Sequence, residues 1–324
     1  MTDRRFDVLI IGIGALANLF AARFVLAGAS VSMLGTWPEG ITAINGRGIR
    51  LVDSEGGEQF IPVTATDNPA ECAGARFALV LVKAWQTERA ARQLAQCLAD
   101  DGIALSLQNG LGNREALIDA LGAGRVELGS TTAGATLLGP GHVRPGGEGV
   151  ISLGANPALG PLIQFFEQAN FPTQIVPDVD ALIWGKLAVN AAINPLTALL
   201  GASNGELLNR PEARQLMFAA AREVAAVAAA RGVALPFDDP AAVAEDVARR
   251  TAQNRSSMLQ DVARGAPTEI DAICGAVVRA GEKFGIPTPV NHTLWLLVKA
   301  LIGDGRPMAE KPDHRGTESM EFPQ

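Results

Sequence analysis

FDVLIIGIGALANLFAARFVLAGASVSMLG, residues 6–35, changes its hydrophobic pattern twice. Residues 6–12 form a short apolar run with β-branched side chains, which is typical of a strand buried on both faces. Residues 15–27 are rich in Ala, Leu and Phe and predict a helix, which Gly28 ends. Because residues 30–35 predict another strand, the whole stretch predicts a strand–helix–strand unit.

The same alternation continues along the chain. Apolar runs at 77–82 and 102–107 predict two more strands, separated by a helical stretch at 87–98. Strands that alternate with helices indicate a parallel sheet covered by helices. Residues 131–154 differ, because Gly and Pro interrupt alternating apolar residues, and they predict an irregular or antiparallel sheet edge at the end of the first domain.

From Asp178 onward the strand pattern gives way to long Ala-rich helical segments, such as residues 212–232. A chain of 324 residues also exceeds what one hydrophobic core usually serves. We therefore predict an α/β fold with an N-terminal parallel-sheet domain at 1–177 and an all-α C-terminal domain at 178–305. A polar tail is expected at 306–324.

The composition argues against several classes of protein. The net charge is −7, and the short Arg clusters are diluted by Asp and Glu, so nucleic acid is not an expected partner. The basic and then apolar N-terminus resembles a signal peptide, but Asp7 and Arg23 lie inside it and Gly12 and Gly14 interrupt it. No uninterrupted apolar run reaches the ~18 residues of a membrane helix, so no membrane partner is expected.

The cysteines favour a reducing compartment. Cys72, Cys97 and Cys274 are odd in number, widely spaced and without a CxxC pair, which supports neither a disulfide framework nor a zinc site. The three histidines are not spaced like metal ligands either. We expect a cytoplasmic location and no bound metal.

The segment GIGALA joins the first predicted strand to the first predicted helix. Gly12 permits a tight turn, Gly14 lets the backbone approach a pyrophosphate, and the helix N-terminus supplies unpaired N–H groups with a partial positive charge. Ala17 stands where a third glycine is usual. The alternative is a turn with a purely structural role. The expected dinucleotide contacts are Gly12, Ile13, Gly14, Ala15, Leu16 and Ala17.

The end of the second predicted strand leaves the choice between NAD and NADP open. A carboxylate for the ribose 2'-hydroxyl of NAD would stand about 20 residues after the first glycine, but the chain has Gly35 and Thr36 there. No arginine for a 2'-phosphate stands there either. Thr36, Arg47 and Arg50 are the nearby candidates for a 2'-phosphate.

Polar residues follow two further predicted strands. Residues beyond the carboxyl ends of parallel strands face the ligand crevice of an open α/β sheet. Lys83, Gln86 and Asn109 would point there. The alternatives are that Lys83 is a solvated strand end and that Asn109 only forms a turn with Gly110.

A polar stripe interrupts an apolar helix in IWGKLAVNAAINPLTALLGASNGEL. Lys186, Asn190 and Asn194 are spaced i, i+4, i+8 and drift only about 80° around a helix. The stripe faces either solvent or a polar cavity, and the poor helix propensity of Asn favours the cavity. Pro195 predicts a break or bend after Asn194. Asn204 lies beyond it, where it is expected to hold backbone.

A second polar cluster contains Glu269. Thr268 and Asp271 have the spacing of a capping box, which predicts a helix start there. Glu269 would then lie in the first helical turn, where the helix dipole favours an acid.

Taken together, these motifs resemble the ketopantoate reductase (2-dehydropantoate 2-reductase) family over nearly the whole chain. Six matches occur in order: GIGALA; KAWQT; LQNGLGN; WGKLAVNAAINPLTAL with NGEL after it; SSMLQDVARGAPTEID; and GIPTPVN.

The resemblance implies an N-terminal Rossmann domain, a helical C-terminal domain and an active site in the cleft between them. It implies hydride transfer from NADPH, with NADH as the alternative, to the ketone of 2-dehydropantoate, a small 2-keto acid, giving pantoate. By motif, Lys186 is the general acid and Glu269 its substrate-binding partner. The implied substrate contacts are Asn109, Asn190, Asn194 and Ser257. Lys83 and Gln86, with Asn109, belong beside the cofactor.

The chemistry agrees with these implied roles. Hydride arriving at a ketone carbon leaves negative charge on the oxygen, which a protonated Lys186 would stabilise and neutralise. Desolvation in a cleft lowers a lysine pKa and a nearby ionised Glu269 raises it, and the sequence leaves the larger effect open. The alternatives are a reductase of another 2-keto acid and a dinucleotide sensor without chemistry. The Ala-rich helices also allow a homodimer.

Overall fold

The strands of the protein form two sheets. The computed structural model describes residues 6–53, 55–147 and 149–303, so the predicted tail at 306–324 lies outside the described residues. The strands in these ranges are β1 Val8–Ile11, β2 Val31–Leu34, β3 Ile49–Val52, β4 Glu58–Ile61, β5 Thr64–Thr66, β6 Ala75–Val80, β7 Leu98–Ser106, β8 Val126–Thr131, β9 Ala135–Gly139, β10 His142–Pro145, β11 Ile151–Gly154 and β12 Thr173–Val176. The larger sheet has the order β12-β11-β8-β7-β6-β1-β2-β5, and the smaller sheet has the order β4-β3-β10-β9.

Helices cover the larger sheet and make up the C-terminal region. Those in the described ranges are α1 Ala15–Leu26, α2 Pro38–Arg47, α3 Thr87–Cys97, α4 Asn113–Leu121, α5 Gly160–Gln168, α6 Val179–Leu200, α7 Pro211–Ala230, α8 Pro240–Arg250, α9 Ser257–Ala263, α10 Cys274–Phe284 and α11 Pro289–Ile302. No helix in the described part of the chain is long and apolar enough to cross a membrane.

The centre of the larger sheet is parallel, as the sequence predicts. β1 pairs in parallel with β2 and β6, β6 with β7, and β7 with β8. All four residues of β1 are buried, in keeping with its apolar run. Because parallel strands end at one edge, the loops after β1, β2, β6 and β7 meet there, which confirms the predicted α/β class and positions the candidate site.

The Gly- and Pro-rich segment at 131–154 is more structured than an irregular edge. β9 and β10 form an antiparallel hairpin, as predicted, but β10 also pairs with β3 and so joins the smaller sheet. β11 returns to the larger sheet antiparallel to β8 and in parallel with β12. The last strand therefore ends at Val176, and α6 begins at Val179.

The helix α6 continues through Pro195, so of the predicted break or bend the break does not occur. Proline has no N–H, and the carbonyl of Ala191, four residues earlier, loses its helical partner. The Sγ of Cys274 lies 3.9 Å from that carbonyl oxygen and offers a weak donor. Residues 191–198 are all buried, so tertiary packing holds the helix to Leu200.

Beyond α6, Asn204 holds a turn, as the sequence predicts. Its side-chain amide donates to Thr251 Oγ1 at 2.8 Å, and its backbone N–H donates to the carbonyl of Asn254 at 3.0 Å. The residue is buried, with 8% of its surface exposed. Asn204 therefore connects the end of α6 to the loop before α9.

Candidate active site

The loop after β1 has the geometry that the glycine motif predicts. Gly12 has φ +126°, and a Cβ there would lie 3.3 Å from the Leu81 carbonyl, so a larger residue is disfavoured. Gly14 precedes α1, and no described atom lies within 4 Å of the place where its Cβ would be. The loop is therefore tight against β6 at Gly12 and open at Gly14, which leaves room for a phosphate group.

The end of β2 has no space for a side chain at position 35. A Cβ on Gly35 would overlap the side chain of Ile13. A Cβ on Gly40 would also meet the Ile13 side chain. Thr36 follows and is exposed. Ile13 thus covers the end of β2, and this contact explains why neither a carboxylate nor an arginine occupies position 35.

Two of the predicted candidates for a 2'-phosphate lie elsewhere. Arg47 ends α2, with about 14 Å of helix axis between it and the first residue of that helix, which follows Thr36 closely. Arg50 lies on β3 and forms an ion pair with Glu58 on β4. Distance along the chain says little about which way a helix runs, so Arg47 and Arg50 remain predictions, and Thr36 is the candidate that stands directly after β2.

Lys83 is an interdomain ion-pair partner rather than a solvated strand end. Its Nζ lies 2.6 Å from Asp261 Oδ2 and 3.6 Å from Glu269 Oε2, both in the helical region. Burial alone lowers the pKa of Lys83, but the carboxylates of Glu269 and Asp261 together outweigh it and raise the pKa. The other oxygen of Asp261 accepts a hydrogen bond from Arg264 at 2.8 Å. Lys83 therefore stays charged at neutral pH.

Asn109 forms both the predicted turn and a contact to the helical region. Its side-chain amide lies 3.4 Å from Glu269 Oε2, and its carbonyl accepts from Asn113 at 3.0 Å. Gly110 has φ +79°, and a Cβ there would lie 2.5 Å from the Ala272 carbonyl oxygen. The side chain of Gln86 accepts the backbone N–H of Lys83 at 3.3 Å and so organises that loop.

The polar stripe on α6 meets the N-terminal domain at Lys186. Its Nζ donates to the Thr131 carbonyl, at the end of β8, at 2.8 Å. Burial lowers the pKa of Lys186 from 10.5 to about 8, although the negative charge of Glu269 opposes this shift. Desolvation therefore changes the pKa of Lys186 more than the charge of Glu269 does, which answers the question that the sequence left open.

The two asparagines of the stripe are sheltered but unpaired. Asn190 is half-buried and Asn194 is 8% exposed, and neither side-chain amide forms a hydrogen bond with any residue that the structure describes. Sheltered amides are normally paired. These two amides are therefore available to a ligand in the cleft.

Glu269 does not lie in a capped helix, so that prediction was wrong. α10 begins only at Cys274, and residues 269–273 form turns. The Asp271 carboxylate accepts instead from Trp295 Nε1 at 2.8 Å and pairs with Lys299 at 3.2 Å, both on α11. The predicted box is lost because α11 supplies stronger partners than the backbone.

The carboxylate of Glu269 joins the two halves of the cleft. It is 6% exposed and accepts the backbone N–H of Ala84 at 3.1 Å, in addition to its contacts with Lys83 and Asn109. Three groups of the N-terminal domain thus converge on one acid of the helical region. These donors satisfy the oxygens of a carboxylate that has little access to water.

Ser257 is not brought into contact with the other candidates. It is exposed and begins α9. Its neighbour Ser256 is buried, accepts the N–H of Leu259 at 3.1 Å and lies 2.6 Å from Thr197 Oγ1 on α6. The sequence could not separate the two serines, since only the helix start decides which one packs inward.

Three groups that bind the predicted site residues Lys186, Glu269 and Lys83 were not predicted from the sequence. Two of them, the Thr131 carbonyl and the Ala84 N–H, are backbone groups and carry no side-chain signal. The third, Asp261, does have a signal, because an acid within the largely apolar MLQDVA helix needs a partner. No cluster of three His, Cys, Asp or Glu residues that could hold a metal occurs in the described ranges.

Comparisons with known proteins agree with this geometry. Residues 8–158 match the family model "Ketopantoate reductase PanE/ApbA", and residues 178–302 match its C-terminal model. The chain is 38% identical to a 2-dehydropantoate 2-reductase of Archaeoglobus fulgidus over 299 residues, which cover 91% of this chain and 97% of that protein.

Solved structures of the same size are also similar. A PanE/ApbA family ketopantoate reductase from Ralstonia eutropha superposes with a TM-score of 0.85 at 32% identity, covering 91% of this chain and 98% of that one. A D-mandelate dehydrogenase with NADH and anilino(oxo)acetate has a TM-score of 0.86 at 25% identity and the same coverage. The expected family resemblance is confirmed, and the chain belongs to the ketopantoate reductase family.

Proposed function

We propose that the protein is a 2-dehydropantoate 2-reductase, which reduces the ketone of ketopantoate to the hydroxyl of pantoate. The observation that carries the proposal is Lys186, whose pKa of about 8 suits a proton donor at neutral pH. It lies on the same helix face as two unpaired amides, Asn190 and Asn194. A nucleotide-binding sensor would need none of these groups.

The residues present fit a nicotinamide dinucleotide. The open space at Gly14, the tight turn at Gly12 and the unpaired N–H groups at the start of α1 suit a pyrophosphate. When bound, the reduced nucleotide supplies the hydride. Lys83 and Gln86, in the loop after β6, would lie along the same edge of the sheet and shape the cofactor site.

Lys186 would hold and deliver the proton. The Thr131 carbonyl fixes its ammonium group, and one of its remaining protons can point at the ketone oxygen. Developing negative charge on that oxygen would be stabilised by the ammonium and then neutralised by proton transfer. Glu269 keeps the pKa of Lys186 from falling further, so that enough of it stays protonated.

The amides would orient the substrate. Asn190 and Asn194 offer donors and acceptors to the carboxylate and hydroxyl of a keto acid, and such contacts hold one face of the ketone toward the cofactor. Asn109 and Glu269 would contact the side of the substrate that faces away from α6. Ser257 is proposed from its motif position and is exposed, whereas the hydroxyl of Ser256 is already engaged by Leu259 and Thr197.

A direct assay tests the activity. We expect purified protein, NADPH and ketopantoate to lose the absorbance of the reduced nicotinamide, and omission of the keto acid is the control. A panel of 2-keto acids, including aryl ones, tests the second candidate, a related 2-keto acid reductase, which the similarity to D-mandelate dehydrogenase favours. A far higher kcat/KM for another keto acid would identify that acid as the substrate in place of ketopantoate. Nucleotide binding without any oxidation would indicate the sensor.

Cofactor discrimination is expected to be weak. Thr36 is exposed and uncharged, Gly35 is blocked by Ile13, and Arg47 and Arg50 lie elsewhere. NADPH is the proposed cofactor, with kcat/KM for NADH within about tenfold, because neither Gly35 nor Thr36 offers a charge that would select the 2'-phosphate.

The variant Thr36→Arg is predicted to raise the ratio of kcat/KM for NADPH to that for NADH by about tenfold or more, because a charge-assisted hydrogen bond to the phosphate is gained. Thr36→Gln, of similar length without charge, is the matched control. A wild-type preference of a hundredfold or more for NADPH would contradict the assignment.

We also propose a cytoplasmic location and a homodimer. The three cysteines are free and buried, which suits a reducing cytoplasm. On α11, Leu296 and Leu297 are each 49% exposed, which supports a homodimer through the helical region. Light scattering after size exclusion measures the mass.

A further inference from the structure

Asn18 is a fully buried asparagine inside the first turns of α1. Its neighbours in the helix are mainly Ala, Leu and Phe, and asparagine is a poor helix former. None of its surface is exposed, and its side-chain Oδ1 has no hydrogen-bond partner among the described residues. A buried acceptor without a partner destabilises the fold, so packing alone does not account for this residue.

The amide nitrogen of Asn18 is fully used. It donates to the carbonyl of Ile13 at 3.0 Å and to the carbonyl of Gly14 at 2.9 Å. Because both neighbours are acceptors, only the NH₂ end of the amide fits there. The structural contribution of Asn18 therefore lies in its two donors, and both act on the glycine-rich loop.

The two bonds act on the direction of the loop N–H groups. Among the described residues only the Asn18 side chain donates to the Ile13 carbonyl, whereas the Gly14 carbonyl also accepts the backbone N–H of Asn18 at 3.0 Å. In a trans peptide the carbonyl and the N–H of the next residue lie in one plane and point in opposite directions. Holding the Ile13 and Gly14 carbonyls toward Asn18 thus turns the N–H groups of Gly14 and Ala15 away from it. Neither N–H donates to any described residue, and the space at Gly14 is open.

We propose that Asn18 is a positioning residue of the nucleotide site, which holds the Gly14 and Ala15 N–H groups in the orientation that binds the dinucleotide pyrophosphate. The inference rests on the proposed function, since it assumes that the loop binds a nucleotide. Preorganised donors bind an anion more tightly than donors that must first be ordered.

The test is nucleotide binding by calorimetry, with NADPH and then NADH as probes. Asn18→Ala keeps a good helix former and removes both donors, and we expect its Kd to rise about tenfold. Asn18→Ser can restore only the bond to Gly14, since a helical serine can bond the carbonyl four residues earlier. It leaves the Ile13 carbonyl without its donor, so its Kd should rise nearly as far as that of Asn18→Ala. At saturating nucleotide, kcat and the KM for keto acid should stay unchanged.

A matched control lies in the helical region. Asn291 is also fully buried, uses its amide nitrogen on Ala220 and Glu223, and leaves its Oδ1 unpaired. Asn291→Leu should lower thermal stability without changing Kd. A wild-type Kd in Asn18→Ala, or an equal rise in Asn291→Leu, would overturn the inference. If Asn18→Ala does not fold, a wild-type Kd in Asn18→Ser overturns it. Failure of the wild type to bind either nucleotide would instead refute the proposed function.

Discussion

Replacing Lys186 with alanine is expected to slow keto-acid reduction by about a hundredfold to ten-thousandfold, because the proton donor and the charge beside the ketone oxygen are both lost. Nucleotide affinity should change little, since Lys186 contacts the end of β8 and not the glycine-rich loop. Steady-state kinetics at saturating nucleotide measures the effect.

The pH dependence of Lys186 gives an independent measurement. With a pKa of about 8, the lysine is mainly protonated below pH 8, so kcat for reduction should be level there and fall tenfold per pH unit above it. In the reverse oxidation the neutral amine accepts the proton, so that rate should rise with pH toward 8 and then level off.

Two variants separate charge from proton transfer. Lys186→Arg keeps a positive charge but does not release its proton near neutral pH. Compared with Lys186→Ala, it should therefore recover more of the affinity for substrate than of kcat. Lys283→Ala, at an exposed lysine on α10, is the matched control and should behave like the wild type. Nearly full activity in Lys186→Ala would remove this lysine from the mechanism.

Changing Glu269 to glutamine is expected to lower kcat/KM by about tenfold to a hundredfold, because a buried acceptor of charge-assisted hydrogen bonds is lost. The Ala84 N–H, Asn109 and Lys83 all contact this carboxylate, so the two halves of the cleft would lose a shared anchor. Lys83 would keep its closer partner, Asp261, and so the domains should remain attached.

The same variant should shift the pH profile in a direction fixed by electrostatics. The negative charge of Glu269 raises the pKa of Lys186, so removing it should lower that pKa below about 8. The alkaline fall in kcat would then begin at lower pH than in the wild type. Glu282→Gln, at an exposed acid on α10, should leave the profile unchanged. An upward shift in Glu269→Gln would contradict the arrangement.

The local pattern of the chain was enough for most of the fold. The apolar run of β1, the Ala-rich period of α1 and α7, and the turn at Gly12 all depend on residues within a few positions of each other. The spacing of Lys186, Asn190 and Asn194 likewise put them on one helix face. Such features are set by backbone geometry and by hydrophobic periodicity, which are properties of short segments.

Predictions that failed involved competition between local and distant partners. The break at Pro195 did not occur because buried packing continued the helix, and the capping box at Asp271 lost to Trp295 and Lys299 on α11. Propensity is a weak preference that tertiary contacts override.

The sequence alone was enough to nominate Lys186, which stands out among apolar neighbours, and the family motif was enough to nominate Glu269. How these side chains act on each other depends on contacts between distant segments of the chain. Ala84 and Glu269 are 185 residues apart, and Lys83 and Asp261 are 178 apart, yet they meet in one cleft. The pKa of Lys186 depends on that cleft, because desolvation comes from the surrounding fold and no short segment of the chain can supply it.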